Sequence, residues 1–506
     1  MKSPQATVEA ADEESPLLGN RPISDTASDA GTSESATYQR LPWTAITVLL
    51  LGELLSHADT TLIFAAAPQI ASELGDLRGM GWLATAYTIG VCAMQPLYGK
   101  LSDIFGRKQM LLFAYGVLSV GCLFCALSRT LTHIILARVL SGIGGAGVMT
   151  MASIIITDSV PRRDFAKYRS YINLATTLGR SIGGPIGGLV ADAFGWTWLF
   201  WGRLPLFAVS VVLIVWFLES SNPGKTFVQP PETQTFGSKW AKVDVKGAVF
   251  LTKTIVSFIL LLDSIEEGVN TASFWFLLAS VIVFGQLFVY IELFATDSPI
   301  FNLRILTHRN VALSYLVDYL QVFSQVGMMF SVPLYFQVTQ RASAASSGAR
   351  IVPAVIGNTV GALISGRLVQ ISHRHGLMLV GTGLLGALSY ASIFILWTGD
   401  TSLLASLVIV GGGFATGIAQ SVSFVTMASH LDRSEVAMAT GGFFLISSLG
   451  TVTAVTTSNV LLQTFFRKRL GYLDVPDKAD VSDFSIQHSL PRYWSFRFSF
   501  LPMPRS

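Results

Sequence analysis

Charge is what this chain has least of. Asp, Glu, Lys and Arg make up 13% of its 506 residues, where soluble domains carry about 25%. Apolar residues supply 51% and the mean hydropathy is positive, so the chain reads as a polytopic membrane protein. Cysteine is nearly absent too: Cys92, Cys122 and Cys125 all lie in apolar segments. No second pair and no histidine cluster completes a metal site around them, and they read as small buried hydrophobes. There is no Gly-x-x-x-x-Gly-Lys-Ser/Thr loop, which argues against ATP-driven pumping. There is no zinc signature and no Gly-x-Ser-x-Gly elbow, so neither an enzyme nor a cofactor is expected. Ten-residue alternating segments are missing as well, which excludes a transmembrane β-barrel.

What is present is a series of apolar runs long enough to cross a bilayer, each needing about 20 residues as a helix. They fall near 43–65, 81–98, 109–128, 131–154, 171–191 and 198–218, then 247–268, 272–294, 310–336, 348–369, 376–397, 402–427 and 436–463. The class is all-α. The expected organisation is a polar tail over 1–40, a six-helix half over 43–218 and a linker over 219–246. Two further helices over 247–294, a second half over 310–463 and an irregular tail over 464–506 complete it.

Basic residues recur after even-numbered spans: Lys100, Arg107 and Lys108; Arg162, Arg163, Lys167 and Arg169; Lys225, Lys239, Lys242 and Lys246; Arg304 and Arg309; Arg367 and Arg374; Arg433. By the positive-inside rule these loops and the N-terminus are cytosolic. Orientation accounts for the basic loops without nucleic acid. The tail over 1–40 is rich in Ser, Thr, Ala, Asp and Glu and has neither the basic start nor the apolar centre of a signal peptide. Within it, Glu13 stands four residues before Leu17-Leu18, a pattern similar to the acidic dileucine signal that sorting adaptors read for delivery to vacuoles.

Gly99-Lys100-Leu101-Ser102-Asp103-Ile104-Phe105-Gly106-Arg107-Lys108 joins the second and third spans with three basic residues, one acid and two glycines. It resembles the signature loop of the major facilitator superfamily. Arg138 in Leu136-Ala137-Arg138-Val139-Leu140-Ser141-Gly142 resembles that family's buried fourth-helix arginine. Gly179-Arg180-Ser181-Ile182-Gly183-Gly184-Pro185-Ile186-Gly187-Gly188 resembles its antiporter motif, although Arg180 stands where the motif generally has a small or apolar residue. The resemblance implies the fourteen-helix proton-antiporter group: two six-helix halves separated by two extra helices, with the last helix apparently missing here. His57-Ala58-Asp59-Thr60-Thr61-Leu62, with Pro68, Ile70 and Ala71-Ser72-Glu73, is similar to fungal vacuolar basic amino-acid transporters.

These residues carry the functional expectations. An acid inside a membrane helix is costly unless it faces a cavity or a partner, so Asp59 is expected to couple protons, with Arg138 beside it. Gly99, Asp103, Gly106, Arg107 and Lys108 are expected to form a conformational latch. Gly179, Gly183, Gly184, Pro185, Gly187 and Gly188 are expected to allow close helix approach and a kink. Arg180 has three readings: repelling cations, binding a carboxylate, or pairing with an acid such as Asp318. Asp318, Gln321 and Gln325 recur at helical spacing and, with Tyr319 and Asn358, are candidates for a substrate cavity. The implied function is alternating-access transport of lysine, arginine or histidine from cytosol into the vacuole, in exchange for protons. A plasma-membrane exporter of drugs or other small organic molecules uses the same machinery. A nutrient receptor that binds but moves little is the reading of another class.

Overall fold

A computed structural model describes residues 42–74, 81–161, 164–218, 244–267, 272–296, 299–340, 344–372, 374–397, 399 and 401–472. The tail with Glu13, Leu17 and Leu18, most of the linker over 219–246, and residues 473–506 lie outside the described residues. The helices fall one to one on the expected spans. The first half holds α1 (Trp43–Glu73), α2 (Trp82–Phe105), α3 (Arg107–Leu127), α4 (Leu131–Asp158), α5 (Phe165–Phe194) and α6 (Arg203–Phe217). The two extra helices are α7 (Val245–Glu267) and α8 (Ala272–Tyr290). The second half holds α9 (Arg309–Gln340), α10 (Val352–Ile371), α11 (His375–Leu396), α12 (Ile409–Ser429) and α13 (Arg433–Tyr472). Helix α13 runs past the expected boundary at 463 because no glycine or proline stands in its way before Gly471.

The tight turn between α2 and α3 is made by Gly106 at φ 97°, a conformation that L side chains rarely adopt. Its N–H bonds the Ser102 carbonyl at 3.0 Å and ends α2. Within the first half α1 lies along α5, and α2 and α3 lie along α4. Within the second, α10 and α11 lie along α12, and α9 lies along α13. Lipid supplies no hydrophobic drive for helices to associate, so small residues that admit close contact decide these pairings. Helices α7 and α8 pair with each other, and α7 leans on α2 through Leu251, Ile255 and Ile259 around Cys92. Asp244 opens α7 by accepting the Gly247 N–H at 2.9 Å.

The halves meet along two seams, α2 with α13 and α5 with α10. Of the described hydrogen bonds across them, Ser170 to the Ala362 carbonyl lies toward the face that carries the basic loops, while Ser448 to Gln95 at 3.0 Å and Thr177 to Asn358 at 3.0 Å lie near the middle of their helices.

Candidate functional site

Two groups of charged side chains lie within the bundle, all buried except the half-buried Arg180. The first lies wholly inside the first half. Asp59 on α1 accepts from Arg138 on α4 at 2.7 Å and from Arg203 at the start of α6. All three are buried. Arg138 also donates to the Leu83 carbonyl at 3.1 Å and sits 4.4 Å over the Tyr87 ring. Arg203 donates to the Leu199 carbonyl at 2.8 Å. Asp59 was expected beside Arg138 and against a water-filled gap. The partner is present, but in this conformation the carboxylate is 2% exposed and enclosed by two guanidinium groups rather than one.

Arg203 was not expected. Its sequence signal is the rule that singled out Asp59, an ionisable residue within an apolar run, but its place near the start of span 198–218 reads equally as a side chain reaching to the interface.

The second group spans the halves. Glu53 and His57 lie one turn apart on α1, with His57 Nε2 3.4 Å from the Glu53 carboxylate, in keeping with a local polar contact. Arg169 and Arg180 come from α5, and Asp318 from α9 across the interface. Glu53 and Asp318 each lie within Coulombic reach of both arginines, yet no ion pair within 4 Å joins them among the described residues. Glu53 and Asp318 are 0% exposed. Neither Glu53 oxygen nor Asp318 Oδ1 has a hydrogen-bond partner among the described residues, while Asp318 Oδ2 accepts from Ser447 on α13. Buried acids in that condition are expensive unless a neighbouring cation or a ligand compensates them.

Arg169 was expected in a loop after span four. It is instead buried in the first turns of α5, a helix that starts at Phe165, six residues before the expected start of that span at 171. Its guanidinium lies 4.5, 5.5 and 5.1 Å from the ring centroids of Phe424, Phe443 and Phe444 in the second half. Hydropathy marks where lipid begins, whereas the helix starts earlier, at Phe165. Glu53 also went unnoticed, although it lies in the same apolar span as Asp59.

The other candidates spread over the second half. Asn358 donates to Gln325 at 3.3 Å and accepts from Thr177 of the first half at 3.0 Å. Thr416 of α12 bonds Gln321 at 3.4 Å, and Tyr319 bonds Thr453 of α13 at 3.0 Å. Asp318, Gln321 and Gln325 thus reach three different helices, α13, α12 and α10.

The expected latch divides into two parts. Its charges stay within the first half: Arg107 pairs with Asp103 at 2.6 Å and with Asp158 of α4 at 2.9 Å, and Lys108 bonds the Val215 carbonyl at 3.0 Å. These contacts do not reach the other half. The crossing contact belongs to Gly99, where a Cβ would stand 2.8 Å from the Ala437 carbonyl and 3.1 Å from Met438 Cα. The antiporter motif divides likewise. Gly179, Gly183 and Gly187 lie against the α1 backbone at Leu54, Ala58 and Leu62, one helical turn apart. Gly184 and Gly188 have nothing within 4 Å of a Cβ position and pack no helix. Pro185 lies inside α5. The described residues hold no cluster of His, Cys, Asp and Glu that suits a metal ion.

The sequence pattern of the Major Facilitator Superfamily matches residues 49–455. The chain is 30% identical to the vacuolar membrane amino acid uptake transporter fnx2 of Schizosaccharomyces pombe, over 94% of this chain and 82% of that one. It is 30% identical to the multidrug resistance protein fnx1 of the same yeast, over 87% and 82%. It is 28% identical to vacuolar basic amino acid transporter 1 of Saccharomyces cerevisiae, over 80% and 75%. Among solved structures, the human organic anion transporter MFSD10 superposes with a TM-score of 0.56 at 16% identity, covering 84% of this chain and 98% of that one.

Proposed function

Because this chain belongs to the major facilitator superfamily, a family of membrane transporters, we propose that it is a proton-coupled carrier moving basic amino acids from the cytosol into the vacuole. The observation that carries the reading is Asp59, a buried carboxylate held by guanidinium groups from two other helices. A proton added to Asp59 cancels the charge on which both arginines depend, so protonation changes which arrangement of α1, α4 and α6 is favoured. Alternating access follows when that change is transmitted to the seam between the halves. The close approach of Gly99 to Ala437 and the bond from Ser170 to the Ala362 carbonyl, both toward the basic face, fit a state closed to the cytosol, with the basic loops on the cytosolic side. Vacuolar location and amino-acid cargo are supported by the names of two relatives.

Export of drugs or other small organic molecules at the plasma membrane is the second reading, favoured by the equal identity to a multidrug resistance protein. Flux into sealed vacuolar vesicles separates the two. Lysine or arginine accumulates when the lumen is acidic and stops accumulating when the gradient is collapsed. Asp59→Asn abolishes gradient-driven accumulation while lysine binding persists. Unchanged accumulation by Asp59→Asn removes the coupling role, and uptake of hydrophobic cations alone favours the exporter. Binding with no flux in the unaltered protein points to a receptor.

A further inference from the structure

The acid of the Asp59 group is doubly paired, although Arg138 Nη2 has no partner among the described residues. The acids of the group that spans the halves are not. Glu53 has no hydrogen-bond partner for either oxygen among the described residues, and Asp318 has one free oxygen. Arg180 has no ion pair within 4 Å among them. Arg180 follows Gly179, whose Cβ position lies 2.4 Å from the Leu54 carbonyl next to Glu53, and it lies within Coulombic reach of both Glu53 and Asp318, so a ligand held by all three touches both halves at once.

Depth supports the same reading. At 1.5 Å per helical residue, Glu53, Asp318 and Arg180 lie about 15, 13 and 23 Å inside the basic-face ends of their helices. Glu53 and Asp318 are thus near the middle of a bilayer core of about 30 Å, and Arg180 is level with Glu53, because α5 begins before the apolar run and its Gly179 packs on Leu54. Arg169, only about 6 Å inside α5, is engaged by the three phenylalanine rings and by Ser153 at 3.3 Å. Its Nε has no partner among the described residues, but its plane faces the rings on the basic side, and Arg180 is the guanidinium with no hydrogen bond or ring contact among them.

We infer that Glu53, Arg180 and Asp318 form the substrate site, and that it takes a dibasic α-amino acid with its carboxylate on Arg180 and its two ammonium groups on Glu53 and Asp318. The inference rests on the proposed amino-acid cargo and adds the atoms that read it. A planar guanidinium fork matches a carboxylate with two parallel hydrogen bonds. Two acids from opposite halves match two cations at the ends of one flexible chain. A simple cation leaves Arg180 unused, and a simple anion meets two carboxylates. A ligand that satisfies acids on both halves binds the arrangement that brings them together better than the one that separates them. That differential affinity is what a transport cycle requires.

The test uses the full-length protein in sealed vesicles and measures radiolabelled lysine uptake. The competitors are cadaverine, which is lysine without its carboxylate, and norleucine, which lacks the second ammonium group. In the unaltered protein lysine competes better than either by about tenfold or more, the scale of one charge-assisted hydrogen bond. Arg180→Gln brings cadaverine level with lysine, and Arg180→Lys, which keeps the charge and loses the fork, falls between. Asp318→Asn brings norleucine toward lysine. Where a variant carries no flux, the same ratios are read from ligand-induced shifts in melting temperature of the purified protein. Unchanged ratios in Arg180→Gln and Asp318→Asn, with lysine uptake intact in the unaltered protein, overturn the site alone. No lysine uptake by the unaltered protein overturns the cargo assignment and the site together.

Discussion

Gly99 of α2 lies against the Ala437 carbonyl of α13, so close that a Cβ at position 99 would stand 2.8 Å from that oxygen. Both sides of the contact are backbone, and neither can swing aside as a side chain would. Gly99→Ala therefore pushes α2 and α13 apart where the seam is closed. Overpacking of this kind costs about 1–3 kcal/mol, a shift of roughly fivefold to over a hundredfold in favour of the conformation that lacks the contact. The expected outcome is a cysteine at position 170 or 362 that reacts faster with a membrane-impermeant thiol reagent applied from the basic face. Equal labelling rates in the variant and its parent count against the seam as a gate.

Arg203 is as much a partner of Asp59 as Arg138 is, and its removal leaves a buried charge pair with one arm. Arg203→Met is expected to destabilise the protein by about 1.5–3 kcal/mol, the scale of one hydrogen bond to a charged group, because Arg138 still holds the Asp59 carboxylate. The purified protein then melts at a lower temperature. In an Asp59→Asn background the same substitution costs less, because Arg203 there has no carboxylate to pair with. Additive losses in the double variant contradict a direct Asp59–Arg203 interaction.

Arg203 also marks where sequence reasoning stopped. Thirteen apolar spans, the turn at Gly106 and the Asp59–Arg138 partnership were legible, because hydropathy, glycine and intramembrane charge each have a local signature. The second arginine on Asp59 was not, since it lies 144 positions away and nothing in either segment names the other. Arg169 was misassigned for a different reason. The run Lys167-Tyr168-Arg169-Ser170 has the composition of a loop, and only the opposite half, with Phe424, Phe443 and Phe444, makes its burial tolerable. A link between Arg180 and Asp318 is legible as one reading of the sequence, whereas the place of Glu53 beside Arg180 shows only in the folded bundle.

The enclosure of Arg169 by aromatic rings of the other half makes it a second hold on the same closed state. A buried cation–π contact contributes about 2 kcal/mol. Phe443→Leu preserves bulk and removes one π face, so it is expected to raise accessibility from the basic face by several-fold, with thermal stability little changed. Arg169→Gln has the same effect but larger, because all three ring contacts go at once. A large fall in melting temperature for Phe443→Leu, without any change in accessibility, identifies the ring as ordinary packing.

Neighbouring glycines in α5 give the sharpest contrast. A Cβ at Gly183 would meet the Ala58 carbonyl at 2.5 Å and collide with the Thr61 hydroxyl, while one at Gly184 would meet nothing within 4 Å. Gly183→Ala is expected to cost about 1–3 kcal/mol by forcing α1 and α5 apart. Gly184→Ala removes a flexible residue from a helix interior and is expected to be neutral or stabilising by up to about 1 kcal/mol. Melting temperatures of the two purified variants, set beside their parent, read the difference directly. The Gly183 variant also disturbs transport, because residue 58 is the neighbour of Asp59 and a displaced α1 alters the reach of Arg138 and Arg203. Equal tolerance at the two positions contradicts the assignment of Gly179, Gly183 and Gly187 as the packing face of the motif. In that event α1 and α5 do not need the backbone contact that the spacing provides.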